Sequence, residues 1–471
     1  DRGLIMHKEF LLNILFLITI NLVIKPLYVF GVDLKVQNEV ANYGLYFALL
    51  NFSYLFQIFA DLGIYQYNNR RVAQEDYWFG KYFPHLLSLK GALAVFFMVL
   101  SLAVALLLGY RGHALYLLCF LLLNQIFITL TFFFRSNLSG LEYYRLDSLL
   151  SVLDKLLLVC LGLPLLWGPW GWQIELEGFE YLQSIAFGST TLVAFIACWR
   201  LLDRPLRWTW RLPLLRVVLK QSLPFSLVVL LMSLYTRIDA VMIERLLYDP
   251  STGRGVAQGN IYAAAYRLLD AVNMVGYLFA GLLLPMFARQ LRAKASVLPL
   301  LGLSVRLMLV ITGSFSAAVC THATSIMPLL YDDYHPDMPS VLIWLMLGFN
   351  AIGVIHIVGT LLTARGNLRA MNAVFVSGIL LNASANCILI PIYGAWGAAV
   401  CTLLTQGLVA FLEWMLVQRW LRPDWRQSSL WWQLALYVVG LMGINYGCLQ
   451  WPYWWALALW VLGYWLSFGP S

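Results

Sequence analysis

Apolar runs of span length recur along all 471 residues, separated by short polar connections. A helix needs about 20 predominantly apolar residues to cross the hydrocarbon of a bilayer. Fourteen runs meet that length: about 9–31, 42–66, 84–109, 113–134, 148–168, 181–201, 221–247, 260–287, 297–320, 339–363, 370–390, 394–417, 430–448 and 452–468. No connection is long enough to hold a soluble domain. The chain is 61% hydrophobic and 11% charged, whereas soluble domains carry about 25% charged residues. These features define an all-α polytopic membrane protein.

Lysine and arginine concentrate in the cytoplasmic loops of membrane proteins. With the N-terminus inside, the inner segments hold 21 of the 31 Lys and Arg residues. The outer loops hold only Lys35, Arg111, Arg245 and Arg254, and the other six cations lie inside spans. Outer connections are acidic instead, as in "ELEGFE" and "YDDYHPD". Both termini are therefore expected in the cytoplasm. The same asymmetry explains the net charge of +8. A nucleic-acid partner would need these cations on one folded surface among stacking aromatics, so none is expected. The densest basic run, "RLLDRPLRWTWRLPLLRVVLK", suits the inner interface, with Trp208 and Trp210 at headgroup level and the cations near anionic lipid.

The seven cysteines (Cys119, Cys160, Cys198, Cys320, Cys387, Cys401 and Cys448) all fall in apolar runs, none spaced as CxxC. Neither a disulfide framework nor a zinc site is expected. No GxSxG, HExxH, P-loop or GxGxxG occurs. The outer loops are too small for the catalytic centre of a membrane polysaccharide polymerase or ligase. No catalytic residue, metal or cofactor is expected, and the chain reads as a non-enzyme. No small-residue cleavage site follows the first run, so a removable signal peptide is not expected either.

An internal repeat divides the chain. The second run, "NYGLYFALLNFSYLFQIFADLGIYQ", aligns with the eighth, "GNIYAAAYRLLDAVNMVGYLFAGLL", when Tyr46 is set on Tyr262. Asn51 then meets Arg267, Tyr54 meets Asp270, Gln57 meets Asn273 and Asp61 meets Tyr277. A second pairing sets "FFFRSNLSGLEYYRLDSLL" beside "TLLTARGNLRAMNAVFV". The simplest division is a six-span N-terminal lobe (1–201), an interfacial linker (202–220), a pseudo-symmetric six-span lobe (221–420) and two further spans (421–471). Repeated halves are typical of transporters, whose site lies near the bilayer midplane.

The stretch "NAVFVSGILLNASANCILIPIYGAWGAAVCTLL" (372–404) resembles the Asn-rich span, turn and small-residue restart of polysaccharide transporters. These belong to the multidrug/oligosaccharidyl-lipid/polysaccharide (MOP) exporter superfamily, which includes the Wzx-type O-antigen flippases. "LPFSLVVLLMSLYTRIDAVMI" followed by "GNIYAAAYRLLDAV" is similar to their seventh and eighth spans, and "NYGLYFALLNFSYLFQIFADLGI" to their second. The resemblance implies a two-lobed, V-shaped, MATE-like fold of about fourteen helices in the bacterial inner membrane. It also implies a flippase for undecaprenyl-pyrophosphate-linked oligosaccharide, such as the O-antigen unit of lipopolysaccharide. The implied partners are that lipid-linked oligosaccharide, membrane lipids, and the polymerase and glycosyltransferases of the same pathway. A monomer is expected. The connection "YDPSTGRGVAQGN" departs from the pattern by its length.

Arg237 and Asp239 stand within the seventh run, where a charge costs at least about 2.5–3.5 kcal/mol and is retained for function or pairing. In the first run Asn21, Lys25 and Tyr28 share a face at i, i+4, i+7, and Pro26 should kink the helix beside Lys25. Tyr54, Gln57, Asp61 and Tyr65 form a similar stripe in the second run, and Tyr266, Arg267, Asp270 and Tyr277 in the eighth. Polar stripes in a membrane should face an interior. At about 1.5 Å per residue, Arg237 and Lys25 each lie roughly 24 Å from the inner start of their spans, and Arg267 about 10 Å from the outer end of its own.

With the resemblance, Lys25, Arg237 and Arg267 are the candidates for binding pyrophosphate, Arg as a bidentate fork and Lys as a point charge. Asn21, Tyr28, Tyr54, Gln57, Tyr266 and Tyr277 complete the candidate cavity. Asp61, Asp239 and Asp270 are candidates for coupling to H⁺ or Na⁺. The competing expectation is internal pairing, of Arg237 with Asp61 or Asp270 and of Arg267 with Asp270. Asp154, Lys155 and Arg306 read as structural, Lys90 as snorkelling to the interface, and His356 as a satisfied buried histidine. A drug or cation antiporter of the same superfamily stays open; it should favour an acidic cavity, whereas these stripes carry three cations against Asp61 and Asp270.

Overall fold

The computed structural model describes residues 23–40, 43–72, 77–141, 143–168, 175–202, 212–249 and 251–421. Asn21, residues 203–211 of the basic linker and the last two expected spans lie outside them. Among the described residues every regular element is a helix. Helix α1 covers 23–39 and contains a π-helical turn at Val29–Asp33, just after Pro26. There follow α2 (Tyr43–Phe56), α3 (Ile64–Val72), α4 (Trp78–Leu107), α5 (His113–Gly140), α6 (Tyr144–Trp167) and α7 (Leu176–Arg200). The remainder are α8 (Leu212–Leu246), α9 (Arg254–Arg292), α10 (Leu298–Leu330), α11 (Met338–Arg365), α12 (Leu368–Tyr393) and α13 (Ala395–Leu421).

Eleven helices among the described residues are long and apolar enough to cross a membrane. They correspond to the second through twelfth expected spans, and α1 is described from within the first. Helices α10 and α11 each carry proline in the first turn, where its missing N–H is no loss. Large apolar side chains stand on the helix surfaces, among them Leu107 (86% exposed), Leu329 (84%) and Leu380 (66%). An apolar exterior of this kind suits hydrocarbon and would be a liability in water.

Contacts divide the chain into two compact units, Asp1–Ala263 and Ala264–Ser471. In the first, α2 packs against α5 and α8, α3 against α5 and α8, and α7 against α5 and α6. In the second, α11 packs against α10 and α13, and α12 against α13. The contact boundary thus differs from the expected repeat boundary at 202–220. Helix α8, expected to open the second lobe, joins the first unit through α2 and α3. The start of α9 joins it too, at a close approach of two glycines. Gly44 donates its N–H to Asn260 Oδ1, and a Cβ on Gly44 would stand 2.6 Å from the Asn260 nitrogen. Small residues let membrane helices approach backbone to backbone in this way.

Candidate functional site

The second span is not one continuous helix, contrary to expectation. After α2 the chain tightens into a 3₁₀ turn at Gln57–Ala60, then passes through Leu62 (φ +46°) and Gly63 (φ +76°) before α3 begins. A leucine at positive φ is uncommon and costs on the order of 1–3 kcal/mol, so its surroundings must hold it there. At the next position only glycine fits, because a Cβ would lie 2.7 Å from the Ser222 carbonyl oxygen of α8.

Asp61 occupies the break. Its carboxylate accepts the Tyr65 N–H, with both oxygens at 3.3 Å, which satisfies one of the orphan donors at the start of α3. Lys90 of α4 reaches the same point: its Nζ lies 2.8 Å from Asp61 Oδ1 and donates to the Ala60 carbonyl at 2.9 Å. Lys90 is 1% exposed and does not snorkel, correcting the sequence expectation. The break frees a carbonyl and half-buries a carboxylate, and one ammonium satisfies both.

Beside the break lies a cavity of about 200 Å³, walled by Tyr54, Gln57, Asp61 and Tyr65. The expected stripe therefore converges on one cavity despite the interruption. Phe132 of α5 and Ser233 of α8 also line it, with the rings of Tyr65 and Phe132 5.7 Å apart. Arg237 lies against the same Tyr54, its guanidinium carbon 5.2 Å from the ring centre and its Nη1 3.5 Å from Asn51 Oδ1. Asp61, one expected partner of Arg237, is matched instead by Lys90. Asp239, two residues on and hence on another face of α8, accepts a hydrogen bond from the Tyr262 hydroxyl at 3.1 Å.

A second set of cations gathers in the same unit. The charges acting on Lys25 are those of Asp154, Lys155 and Arg135. The Lys155 ammonium lies 4.7 Å from the centre of the Tyr28 ring and 4.8 Å from that of Phe187. Arg135 bonds Asp147 at 2.6 Å and lies over Phe132 at 5.9 Å. Sequence reasoning set Lys155 aside as structural and counted Arg135 with the loops. The signal that singled out Arg237, a cation within an apolar run, applied equally to Lys155.

Other charges fall where sequence did not put them. Arg245, counted with the outer loops, belongs to the last turn of α8. Its Nη2 donates to Glu244 Oε1 at 2.7 Å, and its guanidinium stacks 3.6 Å over Tyr110. The Tyr110 hydroxyl donates to Glu244 at 2.8 Å; burial first, and then the Glu244 carboxylate, push the phenol pKa up. The connection that seemed long is a tight turn, since α9 already starts at Arg254. Asp249 organises it by accepting from the Ser251 N–H and from the Ser251 and Thr252 hydroxyls, which hold its carboxyl down at about 2. Glu180, from the acidic "ELEGFE" stretch, is fully buried, and neither of its oxygens has a hydrogen-bond partner among the described residues.

In the second unit the α9 stripe is not uniformly inward. Tyr266 is buried, Arg267 and Asp270 are half-buried, and Tyr277 is 55% exposed. The Tyr277 ring packs 4.7 Å from His356 of α11, whose Nε2 lies 2.8 Å from Asn273 Oδ1. Glu413 of α13 is fully buried against Gly359 of α11, and neither oxygen has a hydrogen-bond partner among the described residues. No group of three or more His, Cys, Asp or Glu that could hold a metal occurs among the described residues.

This architecture has counterparts among solved structures. The lipid II flippase MurJ, in an inward closed conformation, is similar with a TM-score of 0.71 at 16% identity, over 97% of this chain and 98% of its own. An inward-facing MATE-family multidrug transporter of the MOP superfamily gives 0.64 at 16% identity, over 86% of this chain and 94% of its own. A mutant of the Vibrio cholerae MATE transporter VcmN gives 0.60 at 15% identity, over 88% and 95%. At such identities the likeness concerns the fold, which is that of MOP transporters. No curated protein matches the chain. The family model for polysaccharide biosynthesis proteins matches residues 10–291. That match spans more than half of the chain, which therefore belongs to the polysaccharide biosynthesis protein family.

Proposed function

We propose that the chain is a flippase that carries an undecaprenyl-pyrophosphate-linked oligosaccharide, an O-antigen or other surface-polysaccharide unit, from the cytoplasmic to the outer leaflet by alternating access. The observation that carries this reading is Arg237, a guanidinium within a membrane-spanning helix, seated on Tyr54 and Asn51 beside a cavity. Lys25, Lys155 and Arg135 lie in the same unit. Cations are costly within a bilayer, and Arg237 and Lys25 suit a multiply charged anion; Lys155 and Arg135 are already paired with Asp154 and Asp147. In the first unit Arg237 and Lys25 hold the pyrophosphate, and Tyr54 and Gln57 contact the substrate. The antiporter reading loses support because Lys90 already neutralises Asp61. Coupling to H⁺ or Na⁺ would then fall to Asp239 or Asp270. The protein acts in the inner membrane with both termini cytoplasmic, between the glycosyltransferases that build the substrate and the polymerase that consumes it, and is not itself an enzyme.

The test is restoration of surface glycan in a strain lacking the gene, with membrane protein abundance measured in parallel. Arg237→Ala should abolish export at normal abundance. Arg237→Lys should restore it in part, since the charge survives without the planar fork. Full export from well-expressed Arg237→Ala would defeat the headgroup assignment.

A further inference from the structure

We propose that the cavity at the break of the second span is a subsite for one sugar ring, that of the sugar joined to the pyrophosphate. The proposal rests on the flippase reading and adds which part of the substrate this unit holds. At about 200 Å³ the cavity falls below the roughly 300–1,000 Å³ that enclose drug-sized ligands. It has room for a single ring and not for a lipid carrying a diphosphate.

Its walls are wrong for phosphate. The charged side chain that lines it is Asp61, an anion, and the balancing Lys90 approaches from the α4 side and is itself buried. The walls fit a pyranose, which has faces of C–H bonds and a rim of hydroxyls. Tyr54, Tyr65 and Phe132 offer aromatic surface for the faces. Gln57 both donates and accepts, and Asp61 accepts. A carboxylate has about four acceptor sites; Lys90 and the Tyr65 N–H engage Asp61 at its two oxygens, and sites remain for sugar hydroxyls. Lys90 is a positioning residue, holding that carboxylate at the cavity wall. Arg237 stands on Tyr54, so a headgroup bound there places its first sugar beside the cavity.

The test compares two probes on the purified full-length protein by native mass spectrometry. One is the lipid-linked oligosaccharide extracted from the host strain lacking this transporter; the other is bare undecaprenyl pyrophosphate. Gln57→Leu and Phe132→Leu should each weaken binding of the glycan-bearing lipid about tenfold, the loss of a hydrogen bond or a packed face, and leave the bare lipid unchanged. Arg237→Ala should weaken both. Thermal midpoints check folding, and because Gln57 and Phe132 lie on different elements, one variant suffices if the other misfolds. Equal loss of both probes, or loss of neither, would overturn the subsite. If wild type binds neither probe, the flippase reading fails first and the subsite with it.

Discussion

Removing either member of the Lys90–Asp61 pair leaves the other buried, but not to the same degree. Lys90 is 1% exposed, whereas the Asp61 side chain retains 18% beside its cavity. Stranding a buried charge costs about 3–5 kcal/mol, so Asp61→Asn should approach that loss and Lys90→Met should fall short of it. The double substitution should recover most of the stability, and thermal unfolding in detergent would show both effects. Glu413 offers the opposite case. With no partner for either oxygen among the described residues, Glu413→Leu should raise stability by about 1–3 kcal/mol, the usual cost of an unsatisfied buried polar group; a lower melting point would show that the carboxyl is needed. Sequence marked Arg237 and Asp239 as membrane charges from their apolar surroundings alone. It could not pair Lys90 with Asp61, because that partnership depends on a backbone reversal 29 residues away.

At the scale of elements, the break in the second span is what hydropathy could not see. The apolar run was carried on to residue 66, past the turn at Gln57–Ala60, because hydropathy is blind to backbone direction. The "DLG" triplet carried the one local hint, Asp and Gly being turn residues. Gly63→Ala should cost at least about 1–2 kcal/mol through its left-handed conformation, with more from the Ser222 contact, and should lower the melting point while weakening substrate binding at the adjacent cavity. The α8–α9 turn makes a pH prediction. The Asp249 carboxyl is depressed from 3.8 to about 2, so its contribution is fully present above pH 3.8 and is lost as pH falls through about 2. The difference in melting point between wild type and Asp249→Ala should therefore narrow across that interval and stay constant above it. The apparent length of this connection arose because "GVAQGN" reads as polar loop, whereas it forms the first turns of α9.

For the whole molecule, the membrane class and the spans from second to twelfth were legible in apolar run length, because helix length and bilayer thickness impose the same count. Which helix packs on which was not, since α8 buries Ser222, Ser226, Asp239 and Glu244 and exposes Leu223 and Leu227, so hydrophobicity does not mark its packed face. The apolar exterior yields a direct test: Leu380→Arg, at a 66% exposed position midway along α12, should cost about 2.5–3.5 kcal/mol on insertion and deplete the membrane fraction, while a conservative Leu380→Ile should not. The Lys90 ammonium, shared between a carboxylate and a broken helix's carbonyl, also leaves a mark on descent. A lineage that straightens this helix loses the need for both charges at once, and one that keeps the break can shed neither alone. Across relatives, an acidic residue at position 61 and a lysine at position 90 should accordingly appear and disappear together.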